Sequence, residues 1–229
     1  KRIPDTYRSN ESDQGGITVT EIKQIVCGMV NCYLVTGKEG SILVDTGETG
    51  YDEKVLKKCE HKNVRLLVLT HGHIDHIQNT AYLAGRLGIP VAMHKKDVEL
   101  KQNQFAQPLT GRGIFGKALE AASKSKMRRN RIEDFEPEIF LKEGDTLERF
   151  GVRASVVELP GHTEGSIGLD VDGQMVIVGD ALMHMVLPGL ASIYWDRGKL
   201  RESGEKISGL GSRTIYFGHG KPVKNRRWV

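Results

Sequence analysis

Four strong metal ligands occur within six residues of this chain, directly after an apolar run. Residues 64–70 predict a buried strand, and residues 77–87 predict a helix. Between them stands the motif His71-Gly72-His73-Ile74-Asp75-His76. Three imidazoles and a carboxylate share so small a volume at low cost only when a cation neutralises and orients them. The sequence therefore predicts a metal site on a loop at the carboxyl end of a strand, where α/β proteins often place function.

Three further candidate ligands repeat one pattern of strand, glycine and ligand. His162 follows the predicted strand 152–159, Asp180 follows 175–178, and His219 follows 214–217. A glycine before each lets the backbone turn sharply and approach a neighbour without a Cβ clash. One such pair alone is more often a turn than a site, but all of them in this order favour a metal centre.

Short β-rich segments in both halves of the chain predict an α/β fold built from two sheets. Strands are predicted at 17–22, 24–30, 31–36, 41–44, 64–69, 90–93, 139–141, 152–159, 166–171, 175–178 and 214–217. Helices are predicted at 51–59, 77–87, 117–127 and 199–207. Each half places a ligand-bearing turn and helices after its strands, which favours two packed sheets with helices outside.

Composition argues against a membrane or secreted protein. We expect no transmembrane helix, because no stretch of about 18 apolar residues occurs. Residues 1–16 are polar and lack the apolar core of a signal peptide. The three cysteines, Cys27, Cys32 and Cys59, are odd in number and have no CxxC spacing, so they predict reduced, mostly buried thiols. A cytoplasmic location is therefore expected.

Basic charge is concentrated in one segment. Residues 95–131 hold ten Lys and Arg against three acids, a net charge of +7 in a chain whose total is +4. Such a patch can attract an anionic substrate, a membrane surface or nucleic acid. A solvated helical face explains the same pattern equally well.

Taken together, these motifs resemble the metallo-β-lactamase superfamily. The matching segments are Leu43-Val44-Asp45-Thr46-Gly47, Thr70 through His76, Pro160-Gly161-His162-Thr163, Gly179-Asp180 and Gly218-His219-Gly220. The resemblance implies a four-layer αβ/βα sandwich over residues 1–229 as a single domain, with a basic, cap-like insert at about 95–136.

The resemblance also implies a division of the ligands between two divalent ions. The first would be held by His71, His73 and His162, the second by Asp75, His76 and His219, and Asp180 would bridge them. Asp45 would hold a ligand or loop in place from outside, although a turn-forming aspartate before Thr-Gly explains it almost as well. Zinc is the metal expected first, with iron or manganese as alternatives.

This ligand set implies a binuclear metallohydrolase with a glyoxalase-II-like metal site. Two metals lower the pKa of bound water, so a metal-bridging hydroxide would attack an acyl carbon. Asp75 would also orient the nucleophile or carry its proton, and Asp180 would act with it. The expected substrate is a small thioester, ester or lactone, without the glutathione contacts that a further C-terminal helical domain gives glyoxalase II.

The basic insert predicts where an anionic part of the substrate binds. Arg128, Arg129 and Arg131 are candidate substrate contacts, so neutralising them should raise KM without loss of metal. His184, four residues after Asp180, is a further candidate, with a packing histidine as the alternative. The insert could equally form a homodimer surface.

Three other functions remain open from sequence. The same fold serves phosphodiesterases and ribonucleases, although no nuclease domain is visible and nucleic-acid binding is not expected. It also serves persulfide dioxygenases that use a single iron, against which the full ligand set argues. A non-catalytic binding protein is the least compatible with intact ligands.

Overall fold

A computed structural model describes residues 20–229. The predicted absence of a signal peptide in residues 1–16, and the start of the predicted strand 17–22, concern positions outside the described residues. Where the sequence predicts two strands at 17–22 and 24–30, the described residues from 20 onward form one strand before the turn, Glu21–Cys27. A tight turn with Gly28 at a φ of +72° ends it, and the next strand starts at Val30.

The first sheet has six strands, and its second half is parallel. In spatial order the strands are β1 (Glu21–Cys27), β2 (Val30–Thr36), β3 (Ser41–Val44), β4 (Val64–Val68), β5 (Val91–Met93) and β7 (Ile139–Phe140). The pairs β1–β2 and β2–β3 are antiparallel, whereas β3, β4, β5 and β7 run parallel. Parallel strands bring their carboxyl ends to one edge of the sheet, so the loops after them can share a site.

The second sheet has five strands and comes almost wholly from the second half of the chain. Its order is β15 (Val223–Lys224), β14 (Thr214–Tyr216), β10 (Met175–Ile177), β9 (Ile167–Val171) and β8 (Ala154–Glu158). Two small sheets add β11 (Leu182–His184) with β12 (Pro188–Leu190), and β6 (Thr110–Gly111) with β13 (Ile193–Tyr194). The short strands β6, β11, β12, β13 and β15 are absent from the sequence prediction.

Five helices flank the sheets in the part of the chain that the structure describes. They are α1 (Asp52–Cys59), α2 (Ile74–Ile77), α3 (Thr80–Leu87), α4 (Gly113–Arg129) and α5 (Arg197–Gly209), with 3-10 turns at Lys95–Lys101 and Glu148–Phe150. Within residues 20–229, no helix combines the length and apolar character that crossing a membrane requires.

Alternating side chains on the strands divide the core into layers. In β2, Tyr33 and Val35 face the second sheet, while Cys32 and Leu34 pack with α1 and α3 on the other side. In β10, Ile177 joins the layer between the sheets, and Val176 packs towards α5. This period of two, with both faces buried, produces the order helix, sheet, sheet, helix. The four-layer αβ/βα sandwich is confirmed.

Helix α4 is longer than predicted. The sequence predicts a helix at 117–127, whereas the structure starts it at Gly113 and ends it at Arg129. The first turn was not predicted because it contains glycines at 113 and 116, and glycine has a low helix propensity. Gly116 is nevertheless required, because a Cβ there would lie 2.7 Å from the carbonyl oxygen of Ser192. This close approach seats α4 against β13.

Candidate metal centre

The structure brings all seven predicted ligands together. Three groups have ligand atoms within 4.8 Å of one another: His71 with His73 and His162, His71 with His76 and Asp180, and Asp75 with His76 and His219. All seven follow a strand in the chain. After β4, His71 and His73 lie in the loop and Asp75 and His76 in the short helix α2, and the others lie in loops after β8, β10 or β14. The two sheets therefore contribute to one centre at a shared edge.

Asp180 lies between the two ligand groups. Its Oδ2 is 3.5 Å from Nε2 of His162 and 3.1 Å from Nε2 of His219, and its Oδ1 is 3.6 Å from Nε2 of His76. The carboxylate is only 3% exposed. A single buried carboxylate that faces both groups is placed to serve two cations at once.

Several buried polar atoms in this cluster have no hydrogen-bond partner among the described residues. They are Nε2 of His71, Nε2 of His76 and Oδ1 of Asp180. In addition, Nδ1 of His73 and Nε2 of His162 lie 2.8 Å apart. Unsatisfied buried acceptors are rare in proteins because each costs free energy. A divalent cation would satisfy all of these atoms, so the donor set fits the metal centre that the sequence predicts.

Outer hydrogen bonds fix which ring nitrogen faces the centre. His162 donates from Nδ1 to the carbonyl oxygen of Ile193 (2.9 Å), and His219 donates from Nδ1 to that of Met29 (2.8 Å). Because a carbonyl only accepts, Nε2 of each ring keeps its lone pair for a metal. Such outer partners set both tautomer and ring orientation.

Asp45 organises two further histidines, His76 and His71. Its Oδ2 accepts from Nδ1 of His76 and from Oγ1 of Thr70, both at 2.8 Å, and its Oδ1 accepts from the backbone N–H of Thr70. Since Thr70 uses its hydroxyl hydrogen on Asp45, its oxygen accepts from Nδ1 of His71 at 3.1 Å. One buried carboxylate thus orients ligands from both groups.

Glycine is required next to the ligands. A Cβ at Gly218 would lie 2.0 Å from Oδ1 of Asp180, and one at Gly72 would lie 2.7 Å from Cβ of Leu100. No L-side chain fits such distances. The glycines that the sequence pairs with its ligands are therefore needed for close approach.

Burial lowers the pKa of the candidate histidine ligands, whereas neighbouring carboxylates raise it. Burial holds the pKa of His71 well below its usual value, and burial with the charge of His162 lowers the pKa of His73 to about 3. Burial alone would also lower the pKa of His76, but Asp180 and Asp45 raise it well above the ordinary value. Neutral imidazoles suit metal binding directly, whereas His76 must release a proton to bind.

The structure adds one buried carboxylate that the sequence argument missed. Asp97 is 0% exposed, and its oxygens accept from the backbone N–H groups of Gly72 and Gly165 at 2.8 Å and from Oγ1 of Thr163 at 2.6 Å. It also accepts from Nε2 of Gln107 at 3.0 Å. Asp97 therefore ties the histidine-rich loop to the loop that carries His162. Its position shortly after β5, at the same sheet edge, was the available signal.

A cavity of about 670 Å³ opens onto the centre. His73, Asp75, His162, Asp180 and His219 form one end of it. Helix α4 supplies a wall, and the turn between β1 and β2 supplies part of the rim. A small organic molecule can therefore reach the ligands directly.

The predicted substrate contacts separate in the structure. Arg129 lines the cavity at the centre, whereas Arg128 and Arg131 line a second cavity of about 470 Å³. His184 is not among the residues that line either, and its Nδ1 donates to the carbonyl oxygen of Lys221 at 2.7 Å. The interpretation of His184 as a packing histidine fits this contact.

Much of the basic charge at 95–131 is neutralised locally. Glu120 pairs with Lys117 and Lys124, and Glu48 pairs with Lys126. Lys96 and Lys101 also have carboxylate partners. The segment is thus less positive as a surface than its sequence indicates, which weakens the case for a nucleic-acid interface.

Comparison with known sequences gives one family. The metallo-beta-lactamase superfamily model matches residues 25–219. An uncharacterized protein of Mycobacterium leprae (strain TN) is 28% identical over 201 residues, covering 83% of this chain and 86% of that protein. The hydroxyacylglutathione hydrolase GloC of Haemophilus influenzae is 27% identical over 170 residues, covering 72% of each chain.

Solved structures share the fold. A metallo-beta-lactamase family protein of Thermus thermophilus aligns with a TM-score of 0.66 at 24% identity, covering 91% of this chain and 75% of that one. The crystal structure of TTHA1623 in a di-iron-bound form aligns with a TM-score of 0.65 at 23% identity, covering 91% of this chain and 100% of that one.

Proposed function

The chain belongs to the metallo-beta-lactamase superfamily, and on that premise we propose that it is a binuclear metallohydrolase of small acyl compounds, namely thioesters, esters or lactones. One observation carries the proposal: a cavity large enough for such a molecule ends at a cluster of seven candidate metal ligands, five of which line it. The relative named as a hydroxyacylglutathione hydrolase supports the acyl class.

The proposed cofactor is a pair of divalent cations, zinc first and iron or manganese as alternatives. His71, His73 and His162 would hold one, Asp75, His76 and His219 the other, and Asp180 both. Imidazole and carboxylate ligands suit all three metals. When bound, two such ions lower the pKa of a water and polarise the substrate carbonyl.

Asp75 is the proposed proton acceptor. Its side chain is half-buried at the cavity surface, where Oδ2 lies 3.8 Å from Nε2 of His219 and 3.9 Å from Nζ of Lys126. Burial alone would raise its pKa, but the charges of His76, His219 and Lys126 lower it. Asp75 is therefore ionised at neutral pH and can take a proton at Oδ2 during attack.

The test is metal analysis followed by a substrate screen. We expect about two equivalents of zinc, iron or manganese per chain by elemental mass spectrometry. The loaded protein should then hydrolyse members of a thioester, ester and lactone panel. Asp180→Asn should lose metal and activity together, whereas Asp196→Asn, at the N-terminus of α5 and outside the centre, should keep both.

Other outcomes would replace the proposal. Hydrolysis of phosphodiesters alone would assign the centre to phosphoryl chemistry. One equivalent of iron, with oxygen uptake on a persulfide and no hydrolysis, would assign it to oxidation.

A further inference from the structure

The cavity beside the metal centre has a wall rich in methionine. Four of the six methionines in the chain line it: Met29, Met127, Met183 and Met185. Methionine is flexible and polarisable, so it contacts apolar groups of varied shape. The concentration of these residues at one cavity indicates a surface that receives an apolar group.

This wall is anchored to the fold. Met127 of α4 and Met183 of β11 belong to one buried cluster with Ile74, Leu109 and Ile193. Both methionines are under a tenth exposed. The apolar wall therefore exists before any ligand binds, which limits the entropy lost on binding.

Apart from Arg129, the charged side chains that line the cavity pair with one another or belong to the metal centre. Asp75 and Asp180 belong to the metal centre, and Lys126 is paired with Glu48, Nζ to Oε1, at 2.6 Å. Arg129 donates from Nε to the backbone oxygen of Ser125 in its own helix. Away from the metal ligands, α4 lines the cavity with apolar Leu119, Ala122 and Met127 and with polar Ser123, Lys126 and Arg129. The apolar residues, joined by the other methionines, offer a continuous surface for an apolar group.

We propose that the substrate carries an apolar chain of several carbons on its scissile carbonyl function, and that this chain lies along the methionine-rich wall of the cavity, to which α4 contributes Met127. The inference rests on the proposed hydrolase function and narrows its substrate class. The carbonyl lies at the metal ligands and the chain extends towards Leu119 and Ala122, where burial removes its apolar surface from water.

The first experiment is a chain-length series with the metal-loaded protein. Thioesters of N-acetylcysteamine with acyl groups from acetyl to decanoyl are compared by kcat/KM. We expect a rise of about a hundredfold from acetyl to octanoyl, since each methylene added in an apolar pocket favours the longer substrate. Thioacetates of ethanethiol and octanethiol are run alongside to show whether the chain belongs to the acyl or the leaving side.

A matched pair of variants tests the wall itself. Ala122 and Ala121 are adjacent exposed residues of α4, but only Ala122 lines the cavity. Ala122→Trp should lower the ratio of kcat/KM for the octanoyl substrate to that for the acetyl substrate at least tenfold. Ala121→Trp should leave this ratio unchanged, which controls for the helix surface.

A binding measurement separates failure of this inference from failure of the hydrolase proposal. Octanoate should bind the metal-loaded protein more tightly than acetate by calorimetry, and Ala122→Trp should abolish the difference. Hydrolysis with equal rates for all chain lengths would overturn the inference while the hydrolase stands. Selective octanoate binding without any hydrolysis would overturn the hydrolase while the apolar site stands.

Discussion

Asp45 shows how one carboxylate outside the centre can determine ligand geometry. It reaches His76 directly and His71 through Thr70, and its backbone lies in the left-handed region at a φ of +60°. Asparagine tolerates that conformation as aspartate does. The charge of Asp45 can therefore be removed without changing the backbone.

Asp45→Asn should weaken metal binding by about 10–100-fold, because an amide accepts more weakly from His76 and no longer raises the basicity of that ligand. Competition with a chelating dye measures the affinity. Asp145→Asn, in a turn where Asp145 accepts from the backbone of Lys142, is the matched control. Equal affinities for the Asp45 variant and the unmodified protein would reduce Asp45 to a turn residue.

Asp97 has a different role, since it joins two loops rather than orienting one ring. Both of its oxygens accept two hydrogen bonds each: one faces Gly165 and Gln107, the other Gly72 and Thr163. Asparagine at this position would replace one of the two accepting oxygens by an NH2 group. The hydrogens of that group would face two hydrogen-bond donors.

Asp97→Asn should therefore lower the free energy of unfolding by about 2 kcal/mol, the scale of a buried unsatisfied group. Gln107→Ala, which removes one partner at a partly exposed position, should lower it by less than about 1 kcal/mol. Urea denaturation gives both values. If Asp97→Asn is as stable as Gln107→Ala, Asp97 does not link the two loops as proposed.

Sequence reasoning identifies metal-ligand candidates more easily than their supports. Five of the seven candidate ligands repeat one local pattern, glycine next to histidine or aspartate after a strand. Asp97 lacks the adjacent glycine, and its partners lie 25 and 66 residues away at Gly72 and Thr163. Only tertiary contacts reveal that such an acid is buried.

At the scale of elements, α4 is held in place by Glu120. Its Oε2 accepts from the backbone N–H of Gly111 and from Lys117, and Oε1 accepts from Lys124. The bond to Gly111 links the helix to β6, which pairs with β13 beside the cavity. The position of α4, and with it the apolar wall, therefore depends on an ionised carboxylate.

The pH dependence of this contact has a definite sign. Lys117, Lys124 and the Gly111 N–H lower the pKa of Glu120 from 4.5 to about 2, so the ionised form favours the folded state. Its stabilisation is complete above pH of about 5 and is lost as the pH falls from about 4.5 towards 2. Glu120→Gln should lower the urea midpoint at pH of about 7, and the difference from the unmodified protein should shrink at about pH 3.5.

Glu133→Gln, at an exposed carboxylate outside these bonds, is the control. A difference between Glu120→Gln and the unmodified protein that stays constant down to about pH 3 would rule out this account.

Elements were predictable where they are long or regularly patterned. The strands at 41–44 and 64–69 were placed closely because apolar runs mark them, and the helix at 51–59 because Val55, Leu56 and Cys59 recur at helical spacing. Strands β11 and β12 were missed, since three residues each are too few to show a period of two, and β12 also contains a proline and a glycine. Pairing across the chain, not local propensity, makes them strands.

At the scale of the whole molecule, the centre joins the two halves of the fold. Loops of the first sheet carry His71, His73, Asp75 and His76, and loops of the second carry His162, Asp180 and His219. A bound cation therefore stabilises the packing of one sheet on the other, because the ligands converge only in the folded state.

Removing the metal should lower Tm. At a free metal concentration of a hundred times Kd the stabilisation is about 2.7 kcal/mol, which corresponds to roughly 5–10 °C for a chain of this size. Calorimetry with a chelator and after re-addition of zinc measures the shift. His94→Ala, at a histidine beside Glu158 and outside the centre, should keep the shift, and His219→Ala should lose part of it. An unchanged Tm on chelation would show that the bound ions do not stabilise the folded state.

The contact between Met29 and His219 spans 190 residues. Asn31 and Tyr33 reinforce it, since both donate to the carbonyl oxygen of Phe217. Contacts so distant along a chain form late, after the loops between them have closed. During synthesis the first four ligands leave the ribosome well before the other three, so a nascent chain offers an incomplete ligand set. The complete ligand set therefore forms only in the folded chain. The choice between metals would then be made at the end of folding, and the correct ion must be present at that stage.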